Sequence, residues 1–277
     1  MAITFNEATV AAESIGDGAR RQRLLTAARV PGTNILLDRL TLAPGATVRL
    51  DVSSNNLAWF QMLEGEATLS HGQRHDLSEA HVAFLPPGFQ ATLSTGTGAA
   101  LLYAEIPDAG RFDATLAYDP PRCRVVDWTR EPVLDSKHDA RKRIYLVTPK
   151  LFGTTAIKGE MIIYPPATMA ANHHHEGAEH FMYILRGRGT VYANEQPHPV
   201  RRGDVVYYPD RERHFLSAAN DEEMRFAEFF VPGEFKTVWV DETQVCTWLP
   251  TGRDIRGGTP AREIAAHSGA QPASQDV

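Results

Sequence analysis

The 277-residue sequence predicts an all-β protein made of two copies of one barrel unit. Three observations carry that expectation. Apolar segments are short, often alternating, and cut by Pro, Gly, Asn and Asp, the pattern of strands joined by tight turns. Amphipathic helical periodicity is scarce. The chain also resembles itself at an offset of 122 residues.

The first set of strand-like runs comprises "TNILLDRLTLAPGATVRL", "AWFQMLEGEATLS", "AHVAFLPPGF" and "AALLYAEI". It defines an N-terminal barrel over residues 1–115. From about Ile106 to Asp139 the strand pattern gives way to Asp, Pro and Arg, and residues 116–140 read as a linker. The second set, "AIKGEMIIYPPAT", "FMYILRGRGTVYA", "GDVVYYPD" and "MRFAEFFVP", defines a C-terminal barrel over 141–240. Residues 241–277 form an extension. Its small, polar end is expected to be disordered, and "PAREIAAH" within it suits one short helix.

The repeat is specific in its spacings. Gly45, Asp51, Ser53, Ala58 and Gly65 fall over Ala167, His173, His175, His180 and Gly187. With one inserted residue, Ala80, Pro86, Gly88 and Ala91 fall over Gly203, Pro209, Arg211 and His214. The apolar frame is common to both copies, while all four histidines occur in one. Loss of four residues together is what a joint site retained in a single copy would produce. The N-terminal barrel is therefore expected to be metal-free, with its apolar interior filled by side chains.

Composition narrows the function classes. Apolar residues make up 43% and charged residues 22%, the profile of a folded globular protein. Net charge is −6 with no basic stripe, which argues against nucleic acid. The opening "MAITFNEATVAAES" lacks a signal-peptide pattern, and no apolar run reaches membrane-spanning length, so no membrane partner is expected. Cys123 and Cys246 are too few for a disulfide framework, and a reducing cytoplasm fits. Sheet edges left open by a barrel favour pairing, hence an expected homodimer.

The histidines suit a metal. Side chains alternate along a strand, so His173 and His175 share one face and His174 takes the other. A reversal across Glu176–Glu179 would return His180 to that face with Met182 and Ile184, and His214 would supply the fourth corner. Imidazole suits Fe, Mn, Ni, Cu and Zn alike. Four ligands on an octahedral ion leave two adjacent positions for substrate, water or dioxygen. Lys158 and Tyr207, on strands near the motif, could reach the same pocket. Trp239 and Trp248 are expected to cover a hydrophobic edge or a subunit interface.

"ATMAANHHHEGAEHFMYILRG" (167–187) and "GDVVYYPDRERH" (203–214) resemble the two motifs of the cupin superfamily. The resemblance extends over both halves, so the chain resembles a bicupin: two jelly-roll (double-stranded β-helix) barrels. It departs from the pattern in three ways. The usual glutamate ligand is replaced by His180, with Glu179 one position earlier as an alternative ligand. Ala167 and Arg211 stand where the motifs have glycine, and the asparagine after the last histidine is absent. The repeat places the ligand at 180, giving a four-histidine set.

That set leaves a divalent ion at charge +2 rather than +1, which favours an anionic chelating small molecule as substrate: an enolate, a catecholate or an α-hydroxy or α-keto carboxylate. The resemblance then implies a mononuclear non-haem dioxygenase using Fe(II) or Mn(II), with Ni, Cu and Zn open. A hydrolase similar to the ureidoglycine aminohydrolases is the alternative. Their shell includes a glutamate and a glutamine where this chain has His173 and His214. A non-enzymatic binding cupin is the third class, but it has no need of four histidines.

Overall fold

Central strands such as Lys158–Tyr164 and Asp204–Tyr208 are buried along their whole length, while strands such as Gln90–Ser94 alternate. The computed structural model describes residues 1–241, 243 and 246–267. They form two compact units, Glu7–Trp128 and, separately, Met1–Asn6 with the chain from Thr129 onward. Each is a pair of antiparallel sheets closed over an apolar core. Among the described residues, helix is limited to Pro149–Phe152 and short 3-10 turns.

The N-terminal unit has a seven-stranded sheet in the order β12 (Arg124–Asp127), β9 (His81–Leu85), β6 (Leu57–Gly65), β11 (Ala99–Ile106), β4 (Leu36–Leu42), β3 (Ala19–Leu25) and β2 (Ala12–Gly16). Its partner has four strands: β5 (Thr47–Asp51), β10 (Gln90–Ser94), β7 (Ala67–Ser70) and β8 (Arg74–Leu77). Leu40, Leu42, Phe60, Met62 and Leu101 from the first sheet meet Leu50, Leu69 and Leu93 from the second. The interior is solid with hydrocarbon, as expected.

The C-terminal unit repeats the plan. An eight-stranded sheet runs β1 (Ile3–Asn6), β20 (Asp204–Tyr208), β17 (Glu179–Arg186), β22 (Met224–Val231), β15 (Lys158–Tyr164), β14 (Lys142–Val147), β13 (Val133–Ser136) and β24 (Trp248–Pro250). The five-stranded sheet is β19 (Gln196–Arg201), β18 (Arg188–Ala193), β21 (His214–Ala218), β16 (His173–Glu176) and β23 (Lys236–Trp239). Gly65 and Gly187, equivalent in the repeat, both hold φ 73, and a Cβ on either would strike a carbonyl oxygen, Gly98 in one case and Glu223 in the other.

Several expectations need correction. Residues 116–140 are not a bare linker: β12 joins one barrel's sheet and β13 the other's. Apolar residues in "CRVVD" and "PVLDS" are enough to add β12 at one sheet's edge and β13 between β14 and β24 in the other. Residues 3–6, expected in the N-terminal barrel, pair with Asp204–Tyr207 in the C-terminal one. Residues 260–267 form no helix. Ile264 instead packs with Leu134, Tyr145 and Trp248 from a segment without regular structure, since Pro260 and a short apolar stripe give the segment more to gain from burial than from helix. The expected disorder of the last residues falls on 268–277, outside the described residues. No helix among the described residues is long and apolar enough to cross a membrane.

The repeat itself slips by one residue. Leu50 pairs with Ala91 and His173 with His214. The counterparts of His173 and His175 are thus Leu50 and Val52, both buried, and not Asp51 and Ser53, which are exposed. Six positions separate Val52 from Ala58, but five separate His175 from His180. The extra residue sits in the turn, and a one-residue shift moves every side chain of a strand to the other face.

Candidate metal centre

Four histidines reach one end of the C-terminal barrel from three strands. β16 contributes His173 and His175, spaced two apart and so on one face. Gly177, at φ 98, then turns the chain into the opposite sheet, its N–H donating to Asp210 Oδ1 at 2.8 Å. β17 begins there, and its inward residues are His180, Met182 and Ile184. β21 opens with His214, paired directly across from His173.

The rings converge. Centroids lie 4.4 Å apart for His173 and His214, 5.0 Å for His173 and His175, 4.9 Å for His175 and His180, and 4.8 Å for His180 and His214. Ligand atoms of His173, His175 and His214 lie within 4.8 Å of one another, as do those of His180, His214 and Glu228. His214 belongs to both sets. Glu228, on the inward face of β22, is the residue that the sequence reading missed. Its signal was a lone carboxylate between Phe226 and Phe230 at strand alternation, a position that burial penalises unless the group has a task.

The donor set fits a metal ion. His173 Nδ1 and His214 Nδ1 each donate to a backbone carbonyl, of Ala171 and Glu212, at 2.8 Å. That fixes the tautomer and leaves Nε2 with a free lone pair, the arrangement that orients ligating histidines. His175 Nδ1 lies 3.2 Å from the Thr237 hydroxyl. Both ring nitrogens of buried His180 make no hydrogen bond, although Nε2 is 3.3 Å from Glu228 Oε1. A buried imidazole with neither nitrogen satisfied is costly unless a ligand completes it.

Electrostatics agree. Burial, reinforced by neighbouring histidines, holds His173, His175 and His180 well below the ordinary imidazole value, and burial brings His214 down to about 4. All four are neutral and lone-pair-bearing near pH 7, as ligation requires. Burial, then the charge of Glu160, pushes Glu228 up to about 8. Glu160 stands directly across from it on β15. Burial acts to raise Glu160 too, but Arg143 and Lys158 outweigh it and hold Glu160 ionised. Two facing carboxyls with opposite protonation are what environment alone can impose on one residue type.

The other expected residues separate cleanly. Glu179 is buried on the outward face of β17, where the Tyr207 hydroxyl donates to it. It does not join the histidines. Tyr207 likewise points away from the site, and the strand's alternation gives the inward place to Tyr208, whose ring stacks on His180 and His214 at 4.9 and 4.3 Å. Met182 and Ile184 fill the apolar core behind the site rather than lining its cavity. Lys158 is buried with Nζ 3.3 Å from Glu160 Oε2 and 5.0 Å from the Phe230 ring centre. His174 turns out toward Glu176.

A cavity of about 50 Å³ adjoins His173, His214 and Glu228, walled by Arg141, Arg143, Tyr164, Trp239 and Trp248 among others. Both tryptophans line the cavity from strands that cover the sheet edges, β23 beside β16 and β24 beside β13. Trp239 lies 4.9 Å from the His173 ring. Neither strand shows in the sequence pattern, because each follows the barrel and returns to it.

These motifs match a profile of the cupin domain over residues 160–232. "Polyketide synthase CurC" of Streptomyces cyaneus is 30% identical over 115 residues, 41% of this chain and 73% of that protein. The chain belongs to the cupin superfamily. "Protein SchB" of Streptomyces halstedii is 29% identical over 105 residues, 35% of this cupin and 76% of that protein. Among solved structures, a variant of Bacillus subtilis oxalate decarboxylase aligns with TM-score 0.68 and 16% identity, over 87% of this chain and 80% of that one. Protein Ylba from E. coli aligns with TM-score 0.67 and 14% identity, over 83% and 90%. These similarities establish the two-barrel cupin fold.

Proposed function

We propose that this cupin is a mononuclear metal-dependent enzyme, a non-haem dioxygenase acting on a small anionic chelating compound. The observation that carries the reading is the gathering of His173, His175, His180 and His214 inside one barrel, with ligand atoms within 4.8 Å in two overlapping sets that share His214. Their Nε2 atoms would hold the ion, Fe(II) or Mn(II) by this reading. When bound, it supplies an electrophilic centre for a chelating substrate and one-electron chemistry with dioxygen. The neighbourhood does the rest. Tyr208, Phe230 and Trp239 wall the ligands with aromatic surface and exclude water. Glu228 holds a proton beside His180 and can pass it to a substrate oxygen. The similarity to a protein named as a polyketide synthase favours enolisable carbonyl compounds among the chelators.

Metal analysis of the purified protein by inductively coupled plasma mass spectrometry, followed by oxygen-electrode assay of small keto acids, hydroxy acids and catechols, tests the reading. About one ion per chain with substrate-dependent oxygen uptake supports it. An ion with no oxygen uptake, but with product formed, moves the assignment to hydrolase or lyase chemistry. Failure to bind any divalent ion ends it.

A further inference from the structure

The cavity beside the histidines has a positively charged wall whose two arginines differ. Arg141 is fully engaged: Nε is 2.9 Å and Nη2 2.7 Å from Asp139, Nη1 donates to the Tyr164 hydroxyl at 3.1 Å, and Nη2 reaches Cys246 Sγ at 3.3 Å. Arg143 is not. Its Nη2 lies 3.1 Å from Glu160 Oε1 and its Nη1 donates to the Tyr145 hydroxyl at 3.3 Å, but its Nε–H is buried without a hydrogen-bond partner. Glu160 must also serve Lys158, so two cations share one carboxylate within ion-pairing distance among the described residues. The Trp248 ring lies 4.3 Å from Arg143 Cζ and fixes the plane of the guanidinium. A buried charged donor left unmatched is destabilising, and an arriving acceptor recovers that loss.

We infer that Arg143 is the carboxylate anchor of this site, and that its ligand is a short-chain carboxylate with a second oxygen donor one or two bonds away. The carboxylate meets the free Nε–H of Arg143, and the second oxygen points toward His173 and His214 across the same cavity. The inference rests on the metal-centre reading for that second oxygen. Size narrows the class. A water needs about 10–15 Å³ of such space, so about 50 Å³ admits roughly three to five non-hydrogen atoms. Tyr164, Trp239 and Trp248 line this space, and about 50 Å³ favours an acid of a few non-hydrogen atoms over a benzoate-sized ring. Among the chelators considered above, that size favours α-hydroxy and α-keto acids over catechols.

The test is isothermal titration calorimetry of Mn(II)-reconstituted full-length protein with glycolate and with uncharged glycolamide, alongside metal analysis of every sample. Glycolate should bind at least tenfold more tightly than glycolamide. Arg143→Lys, which keeps the charge and loses the planar fork, should weaken glycolate at least tenfold with metal stoichiometry unchanged. Equal binding of acid and amide by the wild type overturns the inference, and needs no variant should Arg143→Lys fail to fold. Wild-type affinity for glycolate in a folded Arg143→Lys overturns it too, as does metal-loaded wild type that ignores millimolar glycolate. Salicylate binding more tightly than glycolate would refute the size limit. A wild type that takes no metal yet binds glycolate through Arg143 would sink the metal reading and leave the anchor standing.

Discussion

The two barrels share one frame and differ in what fills it. Where the C-terminal barrel holds His173, His175, His180 and His214, the N-terminal one holds Leu50, Val52, Ala58 and Ala91, all buried. The difference continues across the sheet. Arg143, Glu160 and Glu228 of the C-terminal barrel occupy the places of Arg21, Asp38 and Tyr103. A charged row thus survives in the barrel without histidines, but it is more open to solvent: the Asp38 side chain is 21% exposed and Arg21 29%, against 1% for Glu160 and 18% for Arg143. The comparison teaches that the fold owes nothing to its polar interior. Hydrocarbon alone closes the N-terminal barrel, so the buried imidazoles and charges of the other are a burden kept for chemistry.

The largest expected effect separates the barrels by metal. His214→Ala removes the residue common to both ligand sets and should strip nearly all bound metal, and His180→Ala most of it, while Glu179→Ala should keep wild-type stoichiometry. Metal analysis of the three variants decides. A Glu179 variant that loses its ion while the His180 variant retains it would reverse the assignment and return the site to a three-histidine, one-glutamate shell.

Next is a test of the filled interior. Phe60, fully buried, occupies the place of Met182 in the repeat. Phe60→Ala should destabilise the N-terminal barrel by about 3–5 kcal/mol in denaturant unfolding, with metal content unchanged. A loss below about 1 kcal/mol would mean that this barrel is not packed by its side chains.

A smaller effect depends on pH. Burial pushes Asp38 up to about 6, although Arg21 and Arg23 pull the other way. Its folded value lies above its unfolded one, so it favours folding fully below pH 4 and loses that contribution as pH rises through about 6. Asp38→Asn should therefore be more stable than wild type at pH 8, by about 1 kcal/mol after allowance for solvent screening, and gain nothing at pH 4. Melting temperatures at the two pH values check the sign.

The last test is of backbone strain. Gly45 and Gly88 of the N-terminal barrel hold φ 79 and 72, and their counterparts Ala167 and Arg211 hold φ 63 and 66. Left-handed geometry burdens residues with a Cβ, so Ala167→Gly should stabilise by about 1 kcal/mol or somewhat less. Arg211→Gly should gain less, because it also gives up the ion pair with Glu176 at 3.0 Å. No gain at Ala167 would mean that the turn relaxes in solution.

Much of this was legible in the chain. Alternating runs and the repeat expose two β-barrels, and the histidines missing from one copy single out His173, His175, His180 and His214. What stayed hidden was hidden for identifiable reasons. Ungapped self-comparison cannot see the extra residue between Val52 and Ala58, so it names Asp51 and Ser53 where the pleat puts Leu50 and Val52. Glu228, Arg143 and Trp248 reach the cavity from strands distant in sequence, through pairings that local pattern does not encode. Tyr207 and Tyr208 are adjacent and equally plausible from composition. Only strand register, which pairs His180 with Tyr208, decides between them.

Strand β1 carries a consequence for how the C-terminal barrel is assembled. Asn6 Nδ2 donates to Asp204 Oδ1 at 2.6 Å across 198 positions of chain, and the whole N-terminal barrel is encoded between them. Closing a loop of that length costs about 4 kcal/mol more than closing a two-residue hairpin. During synthesis β1 waits for β20, while the strands of the barrel encoded between them pair among themselves. The N-terminal barrel can thus finish folding with its leading segment still loose, and the seam between β1 and β20 closes late in the C-terminal one. In native-state hydrogen exchange the amides of Ile3–Asn6 should open before those of β17 and β22, making this ladder the point at which the barrel starts to come apart.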